Sequence, residues 1–270
     1  MRIAALSIYP VKSLGPVALQ SSAVEPRGLT GDRRWMIVDD SGRFVTRREV
    51  PALARIAMSM VEGGYRLTAP EGDATLPVAV QGEDITPVTV WRDTVAALVV
   101  DNEASRLISE VAGRKLRLAY MPDRSIRPVD PGYATADEIV SFADGFPILV
   151  TRTASLDALN AALEKPVTMA RFRANIVLDG SGDAWAEEDW ATLTAGTVPL
   201  RLTKPCARCI VVTQNPETGE REEGNAVTST LRRLGKFNAE GVLFGMNAIA
   251  QGEGRIAVGD RVASGGANSR

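Results

Sequence analysis

Through roughly the first hundred residues, short runs rich in β-branched and aromatic side chains alternate with turn punctuation. That rhythm constrains the fold more than any other feature of the chain. Residues 35–38 and 43–46 flank Asp39-Asp40-Ser41-Gly42, a hairpin signal. A second hairpin is predicted from 56–61 through Glu62-Gly63-Gly64 to 65–68. Strand-like runs follow at 78–80 and 88–91. Strands this short and this evenly spaced predict a small barrel or sandwich.

The second half mixes element types. Asp101 is placed to cap a helix running to Ala112, with Leu107, Ile108 and Val111 on one face and Gly113 as its stop. A strand at 116–120 leads into 121–133, rich in Pro, Arg and Asp, which reads either as a domain junction or as an internal loop. Residues 148–151 predict a strand. Thr153 caps a predicted helix to Leu163, with Leu156, Leu159 and Leu163 on one face. Further strands are predicted at 175–178, 198–203 and 209–213, and Asn215-Pro216-Glu217-Thr218-Gly219 is a turn. Residues 217–224 form a local acidic run, expected as a solvated loop. Asn225 is positioned to cap a last helix ending at Gly235, and the tail from Ser264 is expected to fray. A chain of 270 residues accommodates one large domain or two small ones. The expected division is 1–120 and 121–270.

The chain contains no histidine. That excludes a Ser-His-Asp or Cys-His nucleophile, an HExxH zinc site and a two-histidine iron site. With only two cysteines, Cys206 and Cys209, neither a four-thiolate iron–sulfur cluster nor a four-cysteine zinc ribbon can be built from one chain. Nor do two cysteines make a secreted disulfide framework. A net charge of −2 argues against a nucleic-acid binder. Residues 1–12 show no signal peptide, Pro10 and Lys12 breaking the apolar stretch, and no apolar run approaches a membrane span. A soluble, cytoplasmic protein is expected, without membrane contact.

Chemistry concentrates in a few short motifs. Lys204-Pro205-Cys206-Ala207-Arg208-Cys209 holds a CxxC whose basic neighbours favour a thiolate. It reads as a dithiol redox pair, as two free thiols packed like small hydrophobes, or as a source of one thiolate for a cofactor-borne metal. The thioredoxin context, a strand delivering CxxC to a helix start, is missing. Candidate anion sites are Lys12-Ser13, Asp32-Arg33-Arg34-Trp35 and Arg171-Phe172-Arg173. All but five of the 31 basic residues are arginines, the side chain suited to bidentate phosphate contacts. No phosphate-binding glycine motif of a nucleotide fold is present. Asp144, at a tight turn before a strand, either bonds backbone amides or exchanges a proton in a pocket. The four tryptophans, Trp35, Trp91, Trp185 and Trp190, are expected in the core.

Taken together and in order, these motifs resemble the MOSC-domain family, in its two-part members of the amidoxime-reducing-component type. The matching segments are Tyr9-Pro10-Val11-Lys12-Ser13, Asp32-Arg33-Arg34-Trp35, Phe142-Ala143-Asp144-Gly145-Phe146-Pro147 and Phe172-Arg173-Ala174-Asn175-Ile176-Val177. Lys204-Pro205-Cys206-Ala207-Arg208-Cys209, Pro216-Glu217-Thr218-Gly219-Glu220 and Phe244-Gly245-Met246-Asn247 complete the set. Where the family often has proline, this chain has Ala174.

The resemblance implies an α+β, mostly β fold: an N-terminal β-barrel-like part, then a MOSC β-barrel with peripheral helices. It implies a molybdenum cofactor in the cleft between them, with Cys209 as metal ligand. Lys12, Ser13, Arg33, Arg173, Asn175, Arg208 and Asn247 would hold the pterin and its phosphate. Asp144 would lie beside the metal, where we expect it to donate a proton. The implied chemistry is reduction of small N-hydroxylated compounds such as amidoximes, hydroxylamines and N-hydroxylated bases. Electrons are then expected from separate proteins, an iron–sulfur or haem carrier with a flavin reductase. The alternative is a cofactor or sulfur carrier without turnover, and a metal-free CxxC thiol enzyme is a third reading.

Overall fold

Alternating burial builds the N-terminal sheets. The computed structural model describes residues 1–135 and 137–267. Strands Ala57–Val61, Gly64–Ala69 and Gly72–Pro77 form an antiparallel meander, and along Gly72–Pro77 only every second side chain is buried. A four-stranded antiparallel sheet runs in the order Trp35–Val38, Arg117–Tyr120, Asp93–Val100, Ile85–Val90. All four residues of Trp35–Val38 are buried, so that strand reads as a continuous apolar run. Against these sheets lies the helix Glu103–Ala112, with Ala104, Leu107, Ile108 and Val111 inward.

Among the described residues the largest sheet has nine strands. Its path runs Val262–Ala267, Trp190–Ala195, Val198–Arg208, Gly241–Ala250, Ile148–Arg152, Ile176–Asp179, Arg2–Ile8, Val17–Leu19, and Phe237–Asn238 pairs with Gly241–Ala250. Ile148–Arg152 and Ile176–Asp179 pair in parallel, and the helix Thr153–Ala161 lies in the crossover that parallel pairing requires. Strands from the two halves thus share one sheet. They also meet where Gly254–Ala257 pairs with Ser21–Glu25. One apolar core follows from this, with Leu6, Val11, Trp35 and Leu107 in the same cluster as Val150, Ile176, Leu200 and Met246. The expected mostly β, α+β class holds, with the ladders running as open paths rather than closed barrels.

Several local expectations need correction. Asn102, not Asp101, caps the first helix, its Oδ1 accepting from the Ser105 N–H at 3.0 Å. Thr153 is already helical, its hydroxyl taken by Asp179 at 2.8 Å, and that helix stops at Ala161. The last helix is Ala226–Arg233, two residues shorter than expected. Residues 43–46 contribute only isolated bridges, and 78–80 follow the strand Gly72–Pro77 rather than forming one. Strand Val198–Arg208 runs on through the CxxC segment, so Cys209 leads into the short 3-10 turn Ile210–Thr213 instead of starting a strand. Residues 264–267 of the tail are held in the edge strand Val262–Ala267 by pairing with Trp190–Ala195, and 268–270 lie outside the described residues. Trp91 leaves the core, 38% exposed at a hairpin turn, whereas Trp35 is fully buried. Among the described residues no helix is long and apolar enough to cross a membrane.

Candidate functional site: a cation-lined cleft

The cleft is built where the first strand ends beside the middle of the large sheet. After Arg2–Ile8 the chain turns at Tyr9 and Pro10, and the Lys12 N–H bonds the Trp35 carbonyl at 2.8 Å. This buries the Lys12 stem and sends its ammonium to the Phe142 carbonyl at 2.8 Å and Asp144 Oδ1 at 2.5 Å. Burial lowers the Lys12 pKa below the ordinary lysine value, and Asp144 offsets part of that.

Asp32 and Asn175 fix the next layer. Buried Asp32 accepts from the Tyr9 N–H at 2.8 Å and from Arg33 at 2.5 Å. Arg33 also donates to Asn175 Oδ1 at 3.0 Å and to the Arg173 carbonyl at 3.3 Å. Asn175 is 1% exposed, accepts from the Leu149 N–H and donates to the Ser7 carbonyl, so it welds three strands at the cleft floor. The Arg33 and Arg173 guanidiniums lie 4.4 and 4.1 Å from the Tyr9 ring centre. Burial pushes Arg173 down to about 9 and Arg47 down to about 10.

The thiols stand opposite. Arg208 donates to Cys206 Sγ at 2.8 Å and to the Phe172 carbonyl at 2.7 Å. Burial works against the charge on Arg208, but the neighbouring Cys206 and Cys209 outweigh it and raise its pKa. Between Pro205 and Ala207 the ladder slips a register, their partners being Met246 and Leu243, so the extra residue of the bulge lies on Gly241–Ala250, opposite Cys206. Within that bulge, Gly245 has φ +75°, and a Cβ there would sit 2.6 Å from Thr151 Cγ2. Only glycine fits.

All nine residues expected at the site line this one cleft: Lys12, Ser13, Arg33, Asp144, Arg173, Asn175, Arg208, Cys209 and Asn247. Thr46, Arg47 and Arg48 line it too and were not singled out in the sequence, where the Arg47-Arg48 doublet just after the first hairpin is the only signal. The cleft encloses about 770 Å³ counting its open mouth. Among the described residues six cations line it (Lys12, Arg33, Arg47, Arg48, Arg173, Arg208) against one carboxylate, Asp144. Arg48 Nε and Arg208 Nε are buried without a hydrogen-bond partner among the described residues. Such an excess of positive charge with spare donors fits an anionic organic ligand.

Asp144 remains 64% exposed to the cleft. Protein packed around it pushes its carboxyl up, yet Lys12, by charge and hydrogen bond, then Arg48 and Arg33, hold it well below the usual carboxylate range. At neutral pH Asp144 is therefore an anion, and Lys12 is the acid beside it. Among the described residues no three His, Cys, Asp or Glu side chains cluster as a metal site. The side chains lining the cleft that commonly ligate metals are Cys206, Cys209 and Asp144.

Residues 1–115 match the MOSC N-terminal beta barrel domain and residues 137–263 the MOSC domain. The human mitochondrial amidoxime-reducing component 1 is 31% identical over 96% of this chain and 82% of its own length. Its Xenopus laevis counterpart is 28% identical over 96% and 81%, and the human mitochondrial amidoxime reducing component 2 is 29% identical over 96% and 82%. With the cleft built from both matched segments, the chain belongs to the MOSC-domain family, among the relatives of the amidoxime-reducing components.

Proposed function

We propose that the protein binds a molybdenum cofactor in this cleft and reduces small N-hydroxylated compounds, amidoximes, hydroxylamines and N-hydroxylated bases among them. The observation that supports it best is the meeting of Cys209 with six cations in one cleft of a chain related to amidoxime-reducing components. When bound, the cofactor supplies the two-electron chemistry that protein side chains lack.

The chain's own residues then have distinct tasks. Lys12, Arg33, Arg173 and Arg208 bind the phosphate and the other anionic parts, while Asn175, Asn247 and Ser13 set its orientation. Cys209, at the junction of a strand and a 3-10 turn, presents the thiolate that ligates the metal. Reduction of an N-hydroxy group consumes two electrons and two protons, breaks the N–O bond and releases water with the amine or amidine. Lys12 Nζ holds a proton at Asp144 Oδ1, and the Asp144 carboxylate, open to the cleft, passes protons on to the departing oxygen. Electrons come from separate carrier proteins, of the iron–sulfur or haem class with a flavin reductase.

Protein from a cofactor-competent host, given a reduced low-potential dye, is expected to convert benzamidoxime to benzamidine. Cys209→Ala should abolish this by at least about 100-fold, and Cys206→Ala should cost far less. Equal loss from both would contradict the single-ligand assignment. Bound molybdenum without any turnover would make the protein a cofactor carrier instead.

A further inference from the structure

Cys209 opens the 3-10 turn Ile210–Thr213, so the place of its thiol depends on what holds the two ends of that turn. At the near end Arg208 is tied to the Phe172 carbonyl at 2.7 Å and to Cys206 Sγ at 2.8 Å. The far end is held from the other half of the chain. Arg47 Nε donates to Gln214 Oε1 at 3.1 Å, and Arg47 Nη2 donates to the Asn215 and Pro216 carbonyls at 3.1 and 3.4 Å. Gln214 Nε2 returns a bond to the Arg47 carbonyl at 2.8 Å. Both residues are only 3% exposed, so removing either partner strands buried polar atoms. Farther along the same loop Gly219 has φ +80°, and a Cβ there would overlap the Pro51 carbonyl. The loop after the cysteine is thus seated against the segment that carries Arg47.

Arg47 does more than tie a loop. It lines the cleft together with Cys209. Burial pushes its pKa down to about 10, which leaves a cation at neutral pH, and the Cys209 thiol is the foremost group opposing that drop. With Nε and Nη2 engaged by the loop, this guanidinium is fixed in place rather than free to close on a ligand. It therefore differs from the cleft cations that bind the anionic parts of the cofactor.

We propose that Arg47 is the positioning residue of the Cys209 thiolate: it anchors the far end of the turn that the cysteine opens, and it keeps a fixed positive charge near the ligand sulfur. The first task makes the metal ligand part of a clamp between the two halves of the chain. The second makes bound molybdenum easier to reduce, because a nearby cation favours the state that carries more electrons. This rests on the molybdenum-cofactor function above and adds a residue that tunes it.

Two measurements test the two tasks. Hydrogen exchange on the cofactor-free full chain reads the anchor. The Val212 and Gln214 amides close the turn onto the Cys209 and Val211 carbonyls. In Arg47→Met and in Gln214→Ala they are expected to exchange at least about tenfold faster, while the helix Glu103–Ala112 keeps its wild-type rates. Unchanged rates in both variants overturn the anchoring role. Dye-mediated redox titration of the molybdenum-loaded full chain reads the charge. The midpoint potential is expected to fall in Arg47→Met and to stay at the wild-type value in Arg47→Lys and Gln214→Ala, which keep the cation. A potential that does not move in Arg47→Met, or that falls equally in Gln214→Ala, overturns the electrostatic role. A wild-type chain that takes up no molybdenum overturns the cofactor function instead, and the exchange rates still decide the anchor.

Discussion

Ser13, Arg33 and Arg173 all line the cleft, and all have positive φ, at 81°, 47° and 55°. Each such residue costs about 1–2 kcal/mol relative to an ordinary backbone, and it persists because neighbours overdetermine it. Arg33 illustrates this, its N–H bound to the Tyr9 carbonyl at 2.9 Å and its carbonyl to the Phe142 N–H at 3.0 Å. Strain at the site is offset by a dense hydrogen-bond frame around it. Asp144 offers a separate test. Its carboxyl is held below the ordinary value in the fold, so on acidification the unfolded chain takes up that proton first. The resulting stability is present above about pH 4 and is lost progressively below it. Asp144→Asn in cofactor-free protein should therefore flatten the fall in melting temperature between pH 5 and pH 3, modestly, because the carboxyl is open to solvent. Identical slopes would contradict the Lys12–Asp144 coupling. The sequence located Asp144 at a tight turn, but not what sets its charge. Its charge state depends on Lys12, 132 positions away along the chain, and on Arg48, neither of which spacing reveals.

At the scale of elements, the segment from 121 to 147 is the unusual part. Among its described residues there is no helix or strand, only isolated pairing, yet it brings Asp144 to the cleft. Backbone carbonyls without a ladder need other donors. Three buried arginines supply them. Arg27 donates to the carbonyls of Asp123 and Ser125, and Arg34 to that of Met121. Arg127 donates to those of Ser141 and Ala143. Replacing Arg127 with Met should cost roughly 3 kcal/mol by leaving these carbonyls and Asp93 unpaired. Denaturant unfolding measures it, and a loss below about 1 kcal/mol would show that water replaces the guanidinium. The composition of 121–133 made its irregularity legible. That its arginines and their neighbours are buried clamps was not, because an arginine in isolation reads as surface. Trp91 escaped for the mirror-image reason, since a tryptophan in isolation reads as core.

For the molecule as a whole, the mostly β class follows from strand rhythm, and the cleft residues were named from short motifs. The route by which they meet was not legible. Arg2–Ile8 sits between Ile176–Asp179 and Val17–Leu19, a pairing across more than half the chain that no local pattern specifies. That crossing places Lys12, Ser13 and Arg33 opposite Arg173, Arg208 and Cys209 over one continuous core. We propose that this convergence holds a molybdenum cofactor through Cys209. Its most direct test is metal analysis of molybdenum per chain, on wild type, Cys209→Ala and Cys206→Ala produced together in a cofactor-competent host. Near-stoichiometric molybdenum is expected in wild type and Cys206→Ala, and its loss in Cys209→Ala. Molybdenum absent from the wild type, while a control molybdoenzyme from the same cells is loaded, would contradict it.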